Sequence, residues 1–264
     1  MLFSKTYSVS VGVAKKPITR VWLSLLPILF LSFAISCDKS VGPDNSIEYG
    51  SMTDIDGYSY NTVKIGNQTW MASNLRTTRY NDGSEIPHIA DGDSWTNARL
   101  GAYCYYNNTS NIDSMTRYGA LYNWYAVASN KLSPSGWHVP NDSDWNVLIS
   151  YLMQTGYSYN GRLNSDTIAK SLAAKTDWAT TTSHIGVIGN DLQANNKSGF
   201  SAYPGGGRYD ASFDFMSHNA YWWTPLEQDS MNAYSMKLDW INESPYMEYY
   251  PKSNGFAVRL VKDQ

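Results

Sequence analysis

The stretch from Tyr118 to Leu152 constrains the fold more than any other part of the sequence, because it joins two amphipathic patterns through a turn-rich segment. Asn141 stands where a helix N-cap belongs, and Asp144 follows in the first turn, where a negative charge suits the helix dipole. Four apolar residues then recur at helical spacing: Trp145, Leu148, Ile149 and Leu152. This stripe predicts an amphipathic helix that begins after Asn141 and buries one face.

The first half of the same stretch carries a second helical pattern. Its apolar positions are Leu121, Trp124, Tyr125 and Ala128. The spacing favours a helix with an apolar face, although the aromatic residues would also suit a strand. Further along, residues 166–175 (DTIAKSLAAK) predict a short helix.

The rest of the chain is typical of short strands separated by turns. Asp56-Gly57 and Gly66-Asn67 are turn signals, and the run from Gly255 to Val261 alternates as a closing strand would. The glycines from Gly205 to Gly207 predict a close backbone crossing where side chains would not fit. We therefore expect a single α+β domain of short antiparallel strands with one or two amphipathic helices.

The N-terminal segment has the anatomy of an export signal. Lys15, Lys16 and Arg20 precede an apolar run over residues 21–35, and Ser36 then stands before Cys37. The segment resembles a bacterial lipoprotein signal, although the usual Leu three places before the cysteine is missing. The resemblance implies a signal peptide over residues 1–36, a lipidated Cys37 with a polar tether over 37–51, and a domain over 52–264. An uncleaved membrane anchor is the alternative.

The two cysteines have separate expected roles. A lipid on Cys37 would leave Cys104 without an intramolecular disulfide partner. Cys104 lies among tyrosines with no histidine or basic residue nearby to lower its pKa. We expect it to be a small buried residue in a strand rather than a nucleophile.

Composition and motif spacing argue against several classes of protein. The net charge of -3 and the absence of a basic cluster in the mature part disfavour a nucleic-acid partner. The four histidines are isolated, and the acids of the loop over residues 77–98 lack calcium-loop spacing. No phosphate loop or nucleophile motif is present. We therefore expect no metal, no cofactor and no catalytic residues.

Several ordered motifs carry a family resemblance: TDIDGYSYNTVKIGNQTWMASNL, YGALYNWYAV, GWHVPNDSDW, SGFSAYPGGGR, YWWTPLE and GFAVRLVKD. Over residues 52–263 the chain resembles the Fibrobacter succinogenes major paralogous domain, a family of exported bacterial proteins of unknown function. More distantly, HVPNDSDW and GFAVR resemble parts of formylglycine-generating-enzyme-like domains. That resemblance implies a C-type-lectin-like α+β fold. It does not bring the copper chemistry, because no cysteine follows Cys104.

These observations favour a non-catalytic lipoprotein of the bacterial cell envelope. It would be anchored to the outer membrane or cell surface through lipid on Cys37, and would bind a polysaccharide or a protein through aromatic loops. The candidate ligand-binding residues are Arg208, Tyr209, Tyr221, Trp222, Trp223 and Glu227. Alternatively, Trp222 and Trp223 flank a strand, one in the core and one partly exposed. An enzyme on a formylglycine-generating-type scaffold and a purely structural envelope or adhesion component are the other functional hypotheses.

Overall fold

A computed structural model describes residues 47–264 of the chain. The predicted signal peptide, the lipidation site at Cys37 and most of the predicted tether lie outside the described residues. The first strand begins at Tyr49, inside the segment predicted as tether. Within the described range no helix is long and apolar enough to cross a membrane.

The described residues form the following elements. The strands are β1 (Tyr49–Thr53), β2 (Ser59–Ile65), β3 (Gln68–Met71), β4 (Tyr103–Cys104), β5 (Leu121–Tyr122), β6 (Trp137–His138), β7 (Gly205–Tyr209), β8 (Ser212–Met216), β9 (Asn219–Glu227), β10 (Asn232–Asp239), β11 (Tyr246–Pro251) and β12 (Val261–Lys262). The helices are α1 (Gly92–Asn97), α2 (Ile112–Tyr118), α3 (Trp124–Ala128), α4 (Asp142–Gln154) and α5 (Ala169–Leu172). Short antiparallel strands with a few helices confirm the predicted α+β class.

The strands form two main sheets and two small hairpin-like pairs. One sheet has five strands in the order β1-β2-β3-β12-β6, and the other has three in the order β11-β10-β9. The pairs β4-β5 and β7-β8 complete the set. The C-terminal strand β12 inserts between β3 and β6, so the last residues of the chain close the larger sheet.

Two hydrophobic clusters cover both faces of strand β9. Ala220 and Trp222 belong to the cluster that contains helix α4, whereas Tyr221 and Trp223 belong to a second cluster with Phe256. Successive strand residues point to opposite faces, so this strand buries every side chain in its first half. Both tryptophans are therefore core residues, and the expectation that one is partly exposed was wrong.

Helix α4 confirms the sequence prediction in detail. The Asn141 side chain accepts a hydrogen bond from the Asp144 backbone N–H at 3.1 Å, and the Asp144 carboxylate accepts one from the Asn141 N–H at 2.9 Å. These reciprocal bonds form a capping box. The Trp145 ring packs 4.7 Å from that of Trp70 on β3, which fixes the helix against the larger sheet.

Three predicted elements are shorter than the sequence pattern suggested. Residues 121–122 pair with β4, and the Asn123 side chain caps α3, so the helix cannot begin before Trp124. The helix predicted over residues 166–175 is reduced to α5. The run from Gly255 to Val261 contributes only its last residue to a strand, since Gly255, Phe256 and Ala257 form isolated bridges and residues 258–260 form none.

The glycine run before Arg208 confirms the predicted close crossing. Gly206 has φ +60°, and a Cβ there would lie 2.4 Å from the Asp214 carbonyl oxygen. A Cβ on Gly207 would lie 2.7 Å from the Phe256 ring. Only glycine fits this approach of β7 to its neighbours.

His138 connects the capping box to the C-terminus, which its isolated position in the sequence did not predict. Its Nδ1 lies 2.6 Å from the Asp263 carboxylate and its Nε2 lies 3.0 Å from that of Asp144. Partial burial lowers the pKa of His138, but the hydrogen bonds to the two aspartates outweigh it and leave the pKa above its ordinary value. The protonated ring therefore stabilises the end of the chain.

This raised pKa predicts how stability depends on pH. The stabilisation is fully present below the unfolded-state pKa of about 6.5 and is lost as pH rises through the higher folded-state pKa. We expect His138→Gln to lower the free energy of unfolding by about 0.5 kcal/mol at about pH 5.5, a small value because the side chain is 39 % exposed. Urea titrations should find the difference smaller at about pH 8.5. An equal loss at both pH values would contradict the assignment.

Candidate functional site

Four of the six residues predicted to bind a ligand lie in the core. Arg208, Tyr221, Trp222 and Trp223 have between 0 and 2 % of their surface exposed. The indole N–H of Trp223 donates to the Tyr122 carbonyl oxygen at 2.8 Å. Side chains buried to this extent present no surface that a ligand could contact.

Arg208 stabilises a loop. Its guanidinium donates to the carbonyl oxygens of Ile89, Ala90 and Asp91 at 2.8, 3.0 and 3.1 Å. It also lies 4.5 Å from the centroid of the Trp95 ring. These contacts hold the segment before α1 against β7 and use the donors that a ligand would need.

The other two predicted residues do not complete a cleft with them. The Tyr209 ring is partly buried and packs against the second cluster, 5.7 Å from Phe256 and 6.2 Å from Tyr221. Glu227 is exposed near the end of β9, where its carboxylate pairs with Lys252. The structure thus packs the partly buried Tyr209 against the buried Tyr221, with Glu227 at a separate ion pair.

A buried polar network is centred on Arg259, which sequence reasoning did not single out. Its Nη2 and Nε donate to the Asn74 side-chain oxygen at 3.0 and 3.2 Å. The Trp222 indole N–H donates to the same oxygen at 2.9 Å. The Asn74 amide N–H donates to the Tyr118 carbonyl oxygen at 2.8 Å. We call Asn74, Trp222 and Arg259 the Arg259 network.

Backbone and amide oxygens of the described residues hold the Arg259 guanidinium. Among residues 47–264 it forms no salt bridge, and it is fully buried. It lies 4.2 Å from the Phe200 ring centroid and donates to the carbonyl oxygens of Phe200 and Ser201. Burial lowers its pKa to about 9, so the charge persists at neutral pH. Carbonyl dipoles and aromatic faces replace the water that the ion would otherwise hold.

A polar groove lies beside this network. It has a cavity volume of about 600 Å³. We call it the Tyr203 groove, and its lining residues are Tyr49, Asn61, Ala72, Ser73, Asp113, Thr116, Arg117, Ser201 and Tyr203. Ser73 precedes Asn74 in the chain, and Ser201 supplies a carbonyl oxygen to Arg259. The buried network therefore fixes two positions in the lining of the groove.

The backbone at Ser201 is strained. This residue has φ +58°, a conformation that non-glycine residues rarely adopt. Its N–H donates to the Asn196 side-chain oxygen at 2.8 Å, and its hydroxyl accepts from the Asn196 amide at 2.8 Å. A strained backbone conformation persists only where the surrounding contacts hold it in place. Such conformations are concentrated at functional sites.

The walls of the Tyr203 groove combine aromatic faces with hydrogen-bonding groups. Tyr49 is 56 % exposed, and the Tyr203 ring is braced edge-on by Tyr118 at 6.4 Å. Arg117 forms an ion pair with Asp177 at 3.1 Å, and the Asp177 carboxylate raises the pKa of Arg117. Aromatic faces beside hydroxyl, amide and charged groups suit a ligand that has both apolar faces and polar edges.

Metal and thiol chemistry find no support in the described residues. Within residues 47–264, no group of three or more His, Cys, Asp and Glu side chains is placed to hold a metal ion. Cys104 is fully buried in β4, and burial raises the pKa of its thiol to about 11. It is the small buried strand residue that the sequence predicted.

Comparison with known proteins gives one family. The family described as the Fibrobacter succinogenes major domain matches residues 63–262, about three quarters of the chain. No curated protein and no solved structure matches the chain. The C-type-lectin-like topology therefore stays a prediction.

The Arg259 network predicts a large effect from a small substitution. Asn74→Ala would leave the Trp222 indole N–H and two guanidinium donors buried without their acceptor. We expect it to lower the free energy of unfolding by about 3 kcal/mol. Asn61→Ala, an exposed change in the same groove, should alter it by less than about 0.5 kcal/mol. Equal stability of the two variants in urea would show that the network is dispensable.

Proposed function

The chain belongs to the Fibrobacter succinogenes major domain family, and we propose that it is a non-catalytic cell-envelope lipoprotein that binds a neutral glycan in the Tyr203 groove. The observation that carries the proposal is that two tyrosines, the exposed Tyr49 and the partly buried Tyr203, lie beside hydroxyl and amide groups around one groove. Sugar rings have apolar faces and hydroxyl edges, so they complement such a surface. The proposal retains the idea of an aromatic binding surface, which the sequence suggested, but assigns it to different residues.

The charges of the Tyr203 groove favour an uncharged ligand. One acid, Asp113, and one base, Arg117, line it. Arg117 is already paired with Asp177, so its charge is balanced before any ligand arrives. A strongly acidic polymer would gain little electrostatic attraction from this surface, whereas a neutral glycan needs only hydrogen bonds and ring contacts to bind.

The same lining supports binding rather than hydrolysis. Glycosidases generally place two carboxyl groups about 5–10 Å apart on either side of the bond that they cleave. Among residues 47–264, Asp113 is the only carboxylate that lines the Tyr203 groove. An enzyme on this scaffold is the alternative, and release of shorter products from a bound oligosaccharide would favour it.

The location follows from the N-terminal sequence. A cleaved signal would leave Cys37 as the first residue, and acylation of its sulfur and amine would supply several chains, enough for stable anchoring. The polar residues after Cys37 would then separate the membrane from the domain. This arrangement would present the Tyr203 groove outside the membrane surface.

Two tyrosines of equal exposure provide a matched test of glycan binding. Tyr49 is 56 % exposed on edge strand β1 in the Tyr203 groove, and Tyr249 is 55 % exposed on edge strand β11 outside that groove. On an array of plant and bacterial cell-wall oligosaccharides, we expect Tyr49→Ala to weaken binding to neutral sugars about tenfold, since one aromatic contact is worth about 1.4 kcal/mol. Tyr249→Ala should bind as the wild type does.

The array can also reject the proposal. If the wild-type chain retains no neutral oligosaccharide, or if the two variants lose affinity equally, the Tyr203 groove does not bind glycans. Thermal unfolding of both variants should coincide with that of the wild type, which separates a binding effect from a loss of fold.

Lipid anchoring has its own test in bacteria that express the full chain. Cys37→Ser should abolish incorporation of labelled palmitate and release the protein from the membrane fraction, because the acylated sulfur is removed. Cys104→Ser is the matched control and should remain labelled, since Cys104 is buried in the fold. Labelling that survives Cys37→Ser would contradict the lipoprotein assignment.

A further inference from the structure

A second concavity lies along helix α2, which also borders the Tyr203 groove. The groove is lined by Asp113, Thr116 and Arg117, and the second concavity by Ser114, Met115 and Tyr118. Because an α-helix turns by about 100° per residue, these two sets fall on opposite faces of α2. None of the residues of α2 is buried in the core. The helix is therefore a wall between two concavities.

The second concavity is small and mainly apolar. It has a cavity volume of about 290 Å³, and we call it the Met115 pocket. Its apolar lining consists of Tyr105, Tyr106, Met115, Tyr118 and Met216. Met115 belongs to α2 and Met216 to the end of β8, so the two thioethers come from separate elements. Methionine side chains adapt to the shape of a ligand and make favourable contacts with aromatic rings.

Neighbouring aromatic rings hold the three tyrosines of the Met115 pocket in position. The ring centroids lie 5.8 Å apart for Tyr105 and Tyr103, 5.3 Å for Tyr106 and Phe213, and 6.4 Å for Tyr118 and Tyr203. The Tyr118 hydroxyl also donates to the Asp177 carboxylate at 3.2 Å. Side chains that are already fixed lose little conformational freedom when a ligand binds. The aromatic walls of the pocket are therefore pre-organised.

The lining of the Met115 pocket favours a neutral ligand. Among residues 47–264, no acidic or basic side chain lines it. Burial raises the pKa values of the Tyr105, Tyr106 and Tyr118 hydroxyls above their ordinary value, so these groups are neutral at physiological pH. A charged ligand would lose its hydration in this pocket without gaining a counter-charge.

The polar groups of the Met115 pocket come from one short segment. They are Asn107, Thr109 and Ser114. The backbone at the start of this segment is strained, since Asn107 and Asn108 have φ values of +52° and +50°. The Asn108 side-chain amide donates to the Ala90 carbonyl oxygen at 3.0 Å, which anchors the strained turn. Backbone strain of this kind is concentrated at functional sites.

The volume of the Met115 pocket restricts its ligand further. An apolar cavity of about 150 Å³ is enough to hold benzene. At about 290 Å³, the pocket has room for one aromatic ring with a short polar substituent. A sugar ring suits it less well, because its several hydroxyl groups would face a lining of aromatic rings and thioethers.

From these observations we infer that the Met115 pocket binds a small neutral molecule with one aromatic ring and a hydroxyl group. The ring packs against the tyrosines and methionines, and the hydroxyl group forms hydrogen bonds with the polar side chains of the segment that starts at Asn107. The inference does not rest on the proposed glycan site, since the Met115 pocket and the Tyr203 groove share no lining residue.

Methionine methyl groups report directly on this pocket. In NMR spectra of the full chain labelled with ¹³C at its methionine methyl groups, titration with benzyl alcohol should shift the Met115 and Met216 signals until they saturate. The signal of Met231, which is 64 % exposed and lies outside the pocket, should not follow. Benzoate, which has the same ring but a negative charge, should bind at least about tenfold more weakly. Methyl glucoside should leave both signals in place.

Three substitutions in α2 test the role of the lining. Met115→Glu places a charge in the neutral pocket and should abolish the saturable shift of Met216. Met115→Leu keeps the side chain apolar and should retain binding within about threefold. Ile112→Glu is the matched control, because Ile112 is 65 % exposed on the same helix and lines neither concavity. This variant should bind benzyl alcohol as the wild type does.

Several results would overturn the inference. They are shifts that do not saturate or that are equally large at Met231, equal affinity for benzoate, and unchanged binding in Met115→Glu. Shifts caused by methyl glucoside and not by benzyl alcohol would assign the pocket to a sugar and would also overturn it. If thermal unfolding shows that Met115→Glu loses its fold, the wild-type selectivity and the Met115→Leu variant decide. None of these results alters the Tyr49→Ala test of the proposed function.

Discussion

The fold depends on a buried guanidinium that has no carboxylate partner in the described residues. Arg259 comes from the C-terminal segment, Asn74 follows β3, and Trp222 lies on β9, so three distant parts of the sequence meet at one amide oxygen. An unpaired buried charge is costly, and removing an acceptor would leave that cost uncompensated. The network therefore specifies how the C-terminal segment, β3 and β9 pack together.

The same chemical solution recurs elsewhere in the domain. Arg208 binds the carbonyl oxygens before α1, and Lys170 binds those of the loop that contains Asn190. In each case a cation holds irregular backbone in place by donating hydrogen bonds to carbonyl oxygens of a loop. This explains how a chain with many short strands keeps well-defined loops, and why the positions beside those loops can form grooves of fixed shape.

The sequence predicted local features better than long-range ones. The N-cap at Asn141, the buried stripe of α4 and the close crossing at Gly206 follow from spacing and backbone sterics, and the structure confirms them. The ligand surface could not be predicted in this way. In the sequence, the adjacent Trp222 and Trp223 are candidates for a ligand surface. In the structure, β9 lies between two hydrophobic clusters that bury both side chains. The lining of the Tyr203 groove comes from segments as distant as Tyr49 and Tyr203, which no local pattern connects.

The central claim is that the Tyr203 groove, shaped by the Arg259 network, is the ligand site. Its most direct test is amide hydrogen exchange, measured with and without a neutral oligosaccharide that the protein binds on the array. The account predicts slower exchange on binding in residues 113–117 and 201–203, the segments that carry lining residues of the groove. It predicts no change along β9 near Trp222 and Trp223, whose side chains are already buried. Unchanged exchange in residues 113–117 and 201–203, with protection confined to other segments, would contradict it.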